Sequence, residues 1–119
     1  MKIKLKRVYE EEDKSDGIRV LVDRLWPRGI KKEALHYDIW AKNITPSPDL
    51  RKWFHEDQEE HWIKFSAMYQ KELETSSDVK EFIQSVKKYP VITLLYASKD
   101  KVHNHAILLK EFLEYKLNK

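Results

Sequence analysis

Cysteine is absent from this 119-residue chain. A disulfide framework, a thiolate zinc site and a cysteine nucleophile are thereby excluded. Glycine is nearly as scarce, with Gly17 and Gly29 the only two. A glycine-rich phosphate cradle is ruled out with them, and neither a Walker sequence nor a GxGxxG pattern occurs. Both glycines read as turn residues first. Long apolar runs are missing too: none approaches the roughly 18 residues of a membrane span, and the N-terminal MKIKLKRVYEEED holds no apolar h-region. A soluble, cytoplasmic protein with no membrane partner is the expectation. Neither sign of charge prevails, since 23 basic residues face 20 acidic ones for a formal net charge of +3. Nucleic acid as a partner therefore draws only weak support.

What the chain does contain is enough apolar material for one core. Hydrophobic residues make up 41% and charged ones 36%, and four Trp argue against disorder. At this length a single domain spanning residues 1–119 is expected. Ile3 and Leu5, with Val8 beyond, alternate with Lys2, Lys4 and Lys6, which predicts a first strand with a solvated lysine face. Glu10–Asp16 reads as a mobile acidic loop, not a binding element, closed by Gly17. From Ile18 a run rich in β-branched residues, stopped by Pro27 and Gly29, predicts a second strand of roughly five to seven residues. Lys31–Glu33 suits one helical turn. Leu35–Ile44 lacks a clean period and reads as an irregular extended connection.

Downstream the helical signals strengthen. Ser47 as a cap and Pro48 at the first helical position predict a short helix carrying Leu50, Trp53 and Phe54. From about Asp57, the residues Trp62, Phe65, Tyr69 and Leu73 recur at three- and four-residue steps, a stripe suited to a core and not to a cofactor. Asp78 with Glu81 predicts a capping box opening a third helix, whose Val79, Phe82, Ile83 and Val86 share a face until Tyr89-Pro90. Val91–Ala97 is almost continuously apolar, the signature of a central parallel strand covered on both faces by helices. A last helix is predicted from about Asp100 or Val102, with Ala106, Leu109, Leu113 and Leu117 on its stripe. Strands at either end with helices between and after them give an α/β class. The expected domain is compact, with a small, mostly parallel sheet of roughly three or four strands flanked by helices.

In such sheets ligands gather beyond the carboxyl ends of the strands. One end carries Asp23, Arg24, Trp26 and Arg28, and the other carries Ser98, Lys99 and Asp100, followed by His103, Asn104 and His105 on the first turns of the last helix. If the two strands are parallel neighbours, both loops share one rim. Arg24, Arg28 and Lys99, with the Ser98 hydroxyl and free helix N–H groups, would then bind a phosphate, a carboxylate or a nucleotide. Asp23 and either His103 or His105 are the candidate proton-moving groups, and Trp26 and Trp53 offer stacking surfaces for a base. Each has a structural alternative: Asp23 and Arg24 in an ion network, Arg28 stacked on Trp26. On a helix His103 and His105 would point about 200° apart, so no metal site is expected unless Asp23 and one His meet from different elements, and the cofactor is left unknown.

Three ordered stretches carry a resemblance that spans nearly the whole chain: RVLVDRLWPRG (19–29), PSPDLRKWF (46–54), and VITLLYASKD followed by HNHAILLKEFL (91–113). Together they resemble the DUF488 family in its short YeaO-like branch. The resemblance implies a compact α/β, Rossmann-like architecture and an unassigned enzyme or ligand-binding site. Its motif residues fall on Asp23, Arg24, Trp26, Arg28 and Gly29, then on Arg51, Trp53 and Phe54, and last on Tyr96, Asp100, His103, Asn104 and His105. Two functional expectations follow. One is an enzyme or ligand-binding protein acting on an anionic small molecule such as a nucleotide or phosphate compound. The alternative is a non-catalytic interaction module that uses the aromatic 35–54 segment as its contact surface.

Overall fold

A computed structural model of the chain describes residues 1–118. Four strands, β1 (Lys2–Arg7), β2 (Ile18–Leu21), β3 (Ile39–Trp40) and β4 (Val91–Tyr96), form one sheet in the order β1-β4-β2-β3. Every pairing is parallel, with Ile3 opposite Ile92 and Val20 opposite both Leu94 and Ile39. Four helices, α1 (Pro48–Glu56), α2 (Gln58–Thr75), α3 (Ser77–Val86) and α4 (His105–Leu117), complete the α/β domain. No helix among the described residues is long and apolar enough to cross a membrane.

The apolar β4 run takes the central position that its sequence predicts, but the two sheet faces are covered differently. Ile92, Leu94 and Tyr96 join Val20 and Val22 under the helices, against Phe65, Tyr69, Leu109 and Leu113. On the opposite face Leu95 and Leu21 pack with Val8 and Leu35, beneath Trp26, Ile30, Tyr37 and Trp40. That second cover is the long connection after β2, not a helix pair, which corrects the expectation of helices on both faces. Period-two alternation along β4 requires two apolar covers and does not say what they are made of.

The acidic loop before β2 is likewise not the loose segment expected. Asp16 is 1% exposed and Arg19 is 3% exposed, and the two form an ion pair. Lys6 donates to the same carboxylate at 2.9 Å, and the Asp16 side chain accepts from the Asp13 N–H at 3.1 Å. Burial by itself would raise the Asp16 pKa. The hydrogen bonds from Lys6, the Asp13 backbone and Arg19 outweigh it and hold the carboxyl well below its ordinary range. Of the lysine face of β1, Lys4 and Lys6 are thus turned to this carboxylate, while Lys2 stays exposed.

Helix starts differ from expectation at three places. The Ser47 hydroxyl donates to Glu72 at 2.7 Å and leaves the α1 terminus uncapped by a side chain. Ser76, not Asp78, caps α3 by accepting from the Val79 N–H. Asn104, not Asp100 or Val102, caps α4 through the Ile107 N–H at 2.9 Å. The Asp57 cap of α2 is as predicted, accepting from the Glu60 N–H at 3.1 Å.

Candidate functional site at the strand-end rim

Because β2 and β4 are hydrogen-bonded neighbours running in parallel, the loops leaving them emerge side by side. Asp23 fastens the two together: its Oδ2 accepts from the Ala97 N–H at 2.8 Å. Its Oδ1 lies 3.3 Å from His105 Nε2, and that nitrogen donates to the Val22 carbonyl at 2.6 Å. A carbonyl can only accept, so Nε2 carries the proton and Nδ1 is left as the acceptor of the neutral ring. Tyr69, in the core stripe of α2, supports the ring edge-on at 6.4 Å.

These groups open onto a cavity of about 350 Å³. One wall is the loop from Asp23 to Arg28, the floor includes Phe54 and Phe65, and α1 contributes Arg51 and His55. Ser98, His103, Asn104 and His105 close the β4 side. Arg24 reaches the Pro46 carbonyl with Nη2 at 3.4 Å, but its Nε is buried without any acceptor from the protein. Arg28 is exposed, and its carbonyl accepts from the Tyr9 hydroxyl at 3.0 Å. Three guanidinium groups therefore line the cavity with Asp23 as the lone carboxylate of its lining. Positive potential follows from that count. His55 is itself exposed, and partial desolvation of its ring first, then repulsion from Arg51, hold it below the ordinary histidine pKa.

Over residues 2–119 the chain matches a family model described as DUF488-N3i, the inactive DUF488-N3 subclade. It is a DUF488 protein. Across 113 residues it is 44% identical to the uncharacterized protein YeaO of Escherichia coli (strain K12), covering 95% of this chain and 97% of that one. The uncharacterized proteins Rv3073c of Mycobacterium tuberculosis (strain ATCC 25618 / H37Rv) and Mb3100c of Mycobacterium bovis are each 38% identical over 112 residues, covering 94% of this chain and 93% of theirs. No solved structure matches the chain.

Of the motif and candidate residues, this DUF488 fold brings Asp23, Arg24, Trp26, Arg28, Arg51, Phe54, Ser98, His103, Asn104 and His105 to the one cavity, while Gly29, Trp53, Tyr96, Lys99 and Asp100 lie outside its lining. Lys99 is exposed. Asp100 is occupied with the turn before α4, accepting from the Val102 and His103 N–H groups at 2.9 and 2.8 Å. Those bonds, His103 first, hold its carboxyl below the ordinary value. Trp53 is stacked on His61 at 3.8 Å and 6°, which removes one of the two expected base-stacking surfaces. Trp26 lies edge-to-face with Tyr37 and Trp40, and its indole N–H donates to the Ile30 carbonyl at 2.6 Å.

His103 stands before α4, 4.9 Å from the Trp62 ring and with Nδ1 3.7 Å from Asp100. The helical argument that separated His103 from His105 thus does not apply, since α4 starts later than predicted. Among the described residues no group of three or more His, Cys, Asp or Glu side chains is placed to hold a metal ion. Sequence reading missed Tyr9, His55 and Gln58 in the lining. For His55 a signal existed, because it follows Arg51 by four positions and so shares its helix face.

Proposed function

We propose that this DUF488 protein binds an anionic small molecule, a nucleotide or another phosphate compound, in the rim cavity. The observation that carries the reading is Arg24. Its Nε is a buried charged donor with no protein acceptor, a costly arrangement unless a ligand oxygen completes it. Arg28 and Arg51 add charge beside it, and Asp23 is already engaged by the Ala97 N–H and His105. The subclade's description as inactive favours binding without turnover. The aromatic 35–54 segment gives the interaction-module alternative less support, since Phe54 is buried, Trp53 stacks on His61, and Tyr37 and Trp40 pack on Trp26.

The test is calorimetric titration and thermal denaturation with adenosine monophosphate and inorganic phosphate, on the parent and on Arg24→Met and Arg51→Ala variants. Ligand should raise the parent's Tm by mass action, and loss of either guanidinium should weaken binding by about tenfold or more. A folded parent that binds neither compound would refute the reading.

One specific arrangement favours a catalytic variant of it. Asp23 beside His105 Nε2, with Nδ1 left as acceptor, is the geometry of an oriented general base. If His105 moves a proton, turnover of a bound phosphate ester should vanish in His105→Ala while binding persists. Absence of turnover in the parent would leave binding alone.

A further inference from the structure

The charge in the cavity walls narrows the class of anion. Arg24, Arg28 and Arg51 supply three positive charges and Asp23 one negative, so with neutral histidines the lining carries two net positive charges. A phosphate monoester carries about −1.5 to −2 at pH 7, whereas a carboxylate or a sulfate monoester carries one charge. A monoanion would neutralise one of the two and leave the other to solvent at the exposed Arg28 and Arg51. A dianion would neutralise both.

The three cavity histidines also differ in their partners. His105 has Asp23 at 3.3 Å and His103 has Asp100 at 3.7 Å. His55 pairs with no carboxylate among the described residues. Its Nδ1 accepts instead from the side-chain amide of Gln58 at 2.9 Å, so the ring's single proton sits on Nε2. The charged groups around it are Arg51 on its own helix, Asp23, Arg24 and Arg28 from the loop after β2, and His103 and His105 from the approach to α4.

Resting on the anion-binding reading above, we propose that this cavity selects phosphate monoester dianions over monoanions of the same shape, and that His55 takes up a proton as the dianion enters. Before the ligand arrives, loss of solvent around the ring and then the charge of Arg51 disfavour a positive charge at His55. Two negative charges beside the ring reverse that field. The proton comes from solvent to Nδ1, and the Gln58 amide rotates to present its carbonyl oxygen as the new acceptor.

Phenyl phosphate and phenyl sulfate form the decisive pair of probes, because they share shape and an apolar ring and differ by one charge. Titration calorimetry at pH 7 in two buffers of different ionisation enthalpy reads affinity and proton uptake together. The parent should bind phenyl phosphate at least about tenfold more tightly than phenyl sulfate, with net proton uptake that falls in His55→Gln. Equal affinity for the two probes would overturn the dianion proposal and leave anion binding standing. Uptake unchanged in a folded His55→Gln variant would overturn the role of His55. Binding of neither probe by the folded parent would remove both readings at once. The comparison of probes on the parent needs no variant and holds even if His55→Gln fails to fold.

Discussion

At the scale of single residues, the two glycines do different work. Gly17 has φ 65° and ψ −135°, a region closed to side chains, and a Cβ there would sit 2.2 Å from the Val91 carbonyl oxygen. Gly29 has φ 78° with nothing within 4 Å of such a Cβ. Gly17→Ala should therefore cost more than about 2 kcal/mol by urea denaturation, since strain and backbone clash add. Gly29→Ala should cost only about 1 to 2 kcal/mol, from backbone strain alone. Equal losses at both positions would refute the close approach of the β2 entry to β4. The sequence marks both as turns. It does not say which one touches backbone, because that depends on Val91, 74 positions further on.

At the scale of elements, the apolar stripes of α2, α3 and α4 were legible from period alone, since each stripe meets the same sheet face. Helix starts were less so. Ser47, Ser76, Asp78, Asp100 and Asn104 are all competent caps by residue type, and the choice among them falls to competing partners. Glu72 draws the Ser47 hydroxyl away, and the Asp100 turn delays α4 until Asn104. Asn104 holds that junction from both sides, since its amide also donates to the Asp100 carbonyl at 2.8 Å. Asn104→Ala should cost about 1 to 2 kcal/mol in denaturant melts and should weaken ligand binding as well, because the turn carries His103 into the cavity wall. A loss of stability with unchanged phosphate affinity would show that the turn is structural only.

At the scale of the whole molecule, Asp16 ties β1, the turn before β2, and β2 itself through Lys6, Asp13 and Arg19. Its folded pKa is depressed, so its stabilisation is complete above the ordinary carboxylate value and drains away as pH falls toward the folded one. Asp16→Asn should cost about 3 to 5 kcal/mol at neutral pH, because Arg19 then stays buried without its partner. The variant should also lose much of the parent's acid sensitivity below pH about 4. A variant as stable as the parent at pH 7, followed by circular dichroism against urea, would refute the network's role.

The sequence by itself determined the α/β class, the central position of the Val91–Tyr96 strand and which polar and charged residues stand at its end and at that of β2, because local period and strand-end chemistry are properties of neighbouring residues. Tertiary structure decided what covers the second sheet face, which polar groups are engaged and which remain available. Trp53 stacks on His61, Asp100 turns to backbone N–H groups, Lys99 stays outside, and His55 joins Arg51 in the cavity. Those outcomes depend on contacts between segments far apart in the chain, where a buried donor or carboxylate takes the partner that packing brings to it.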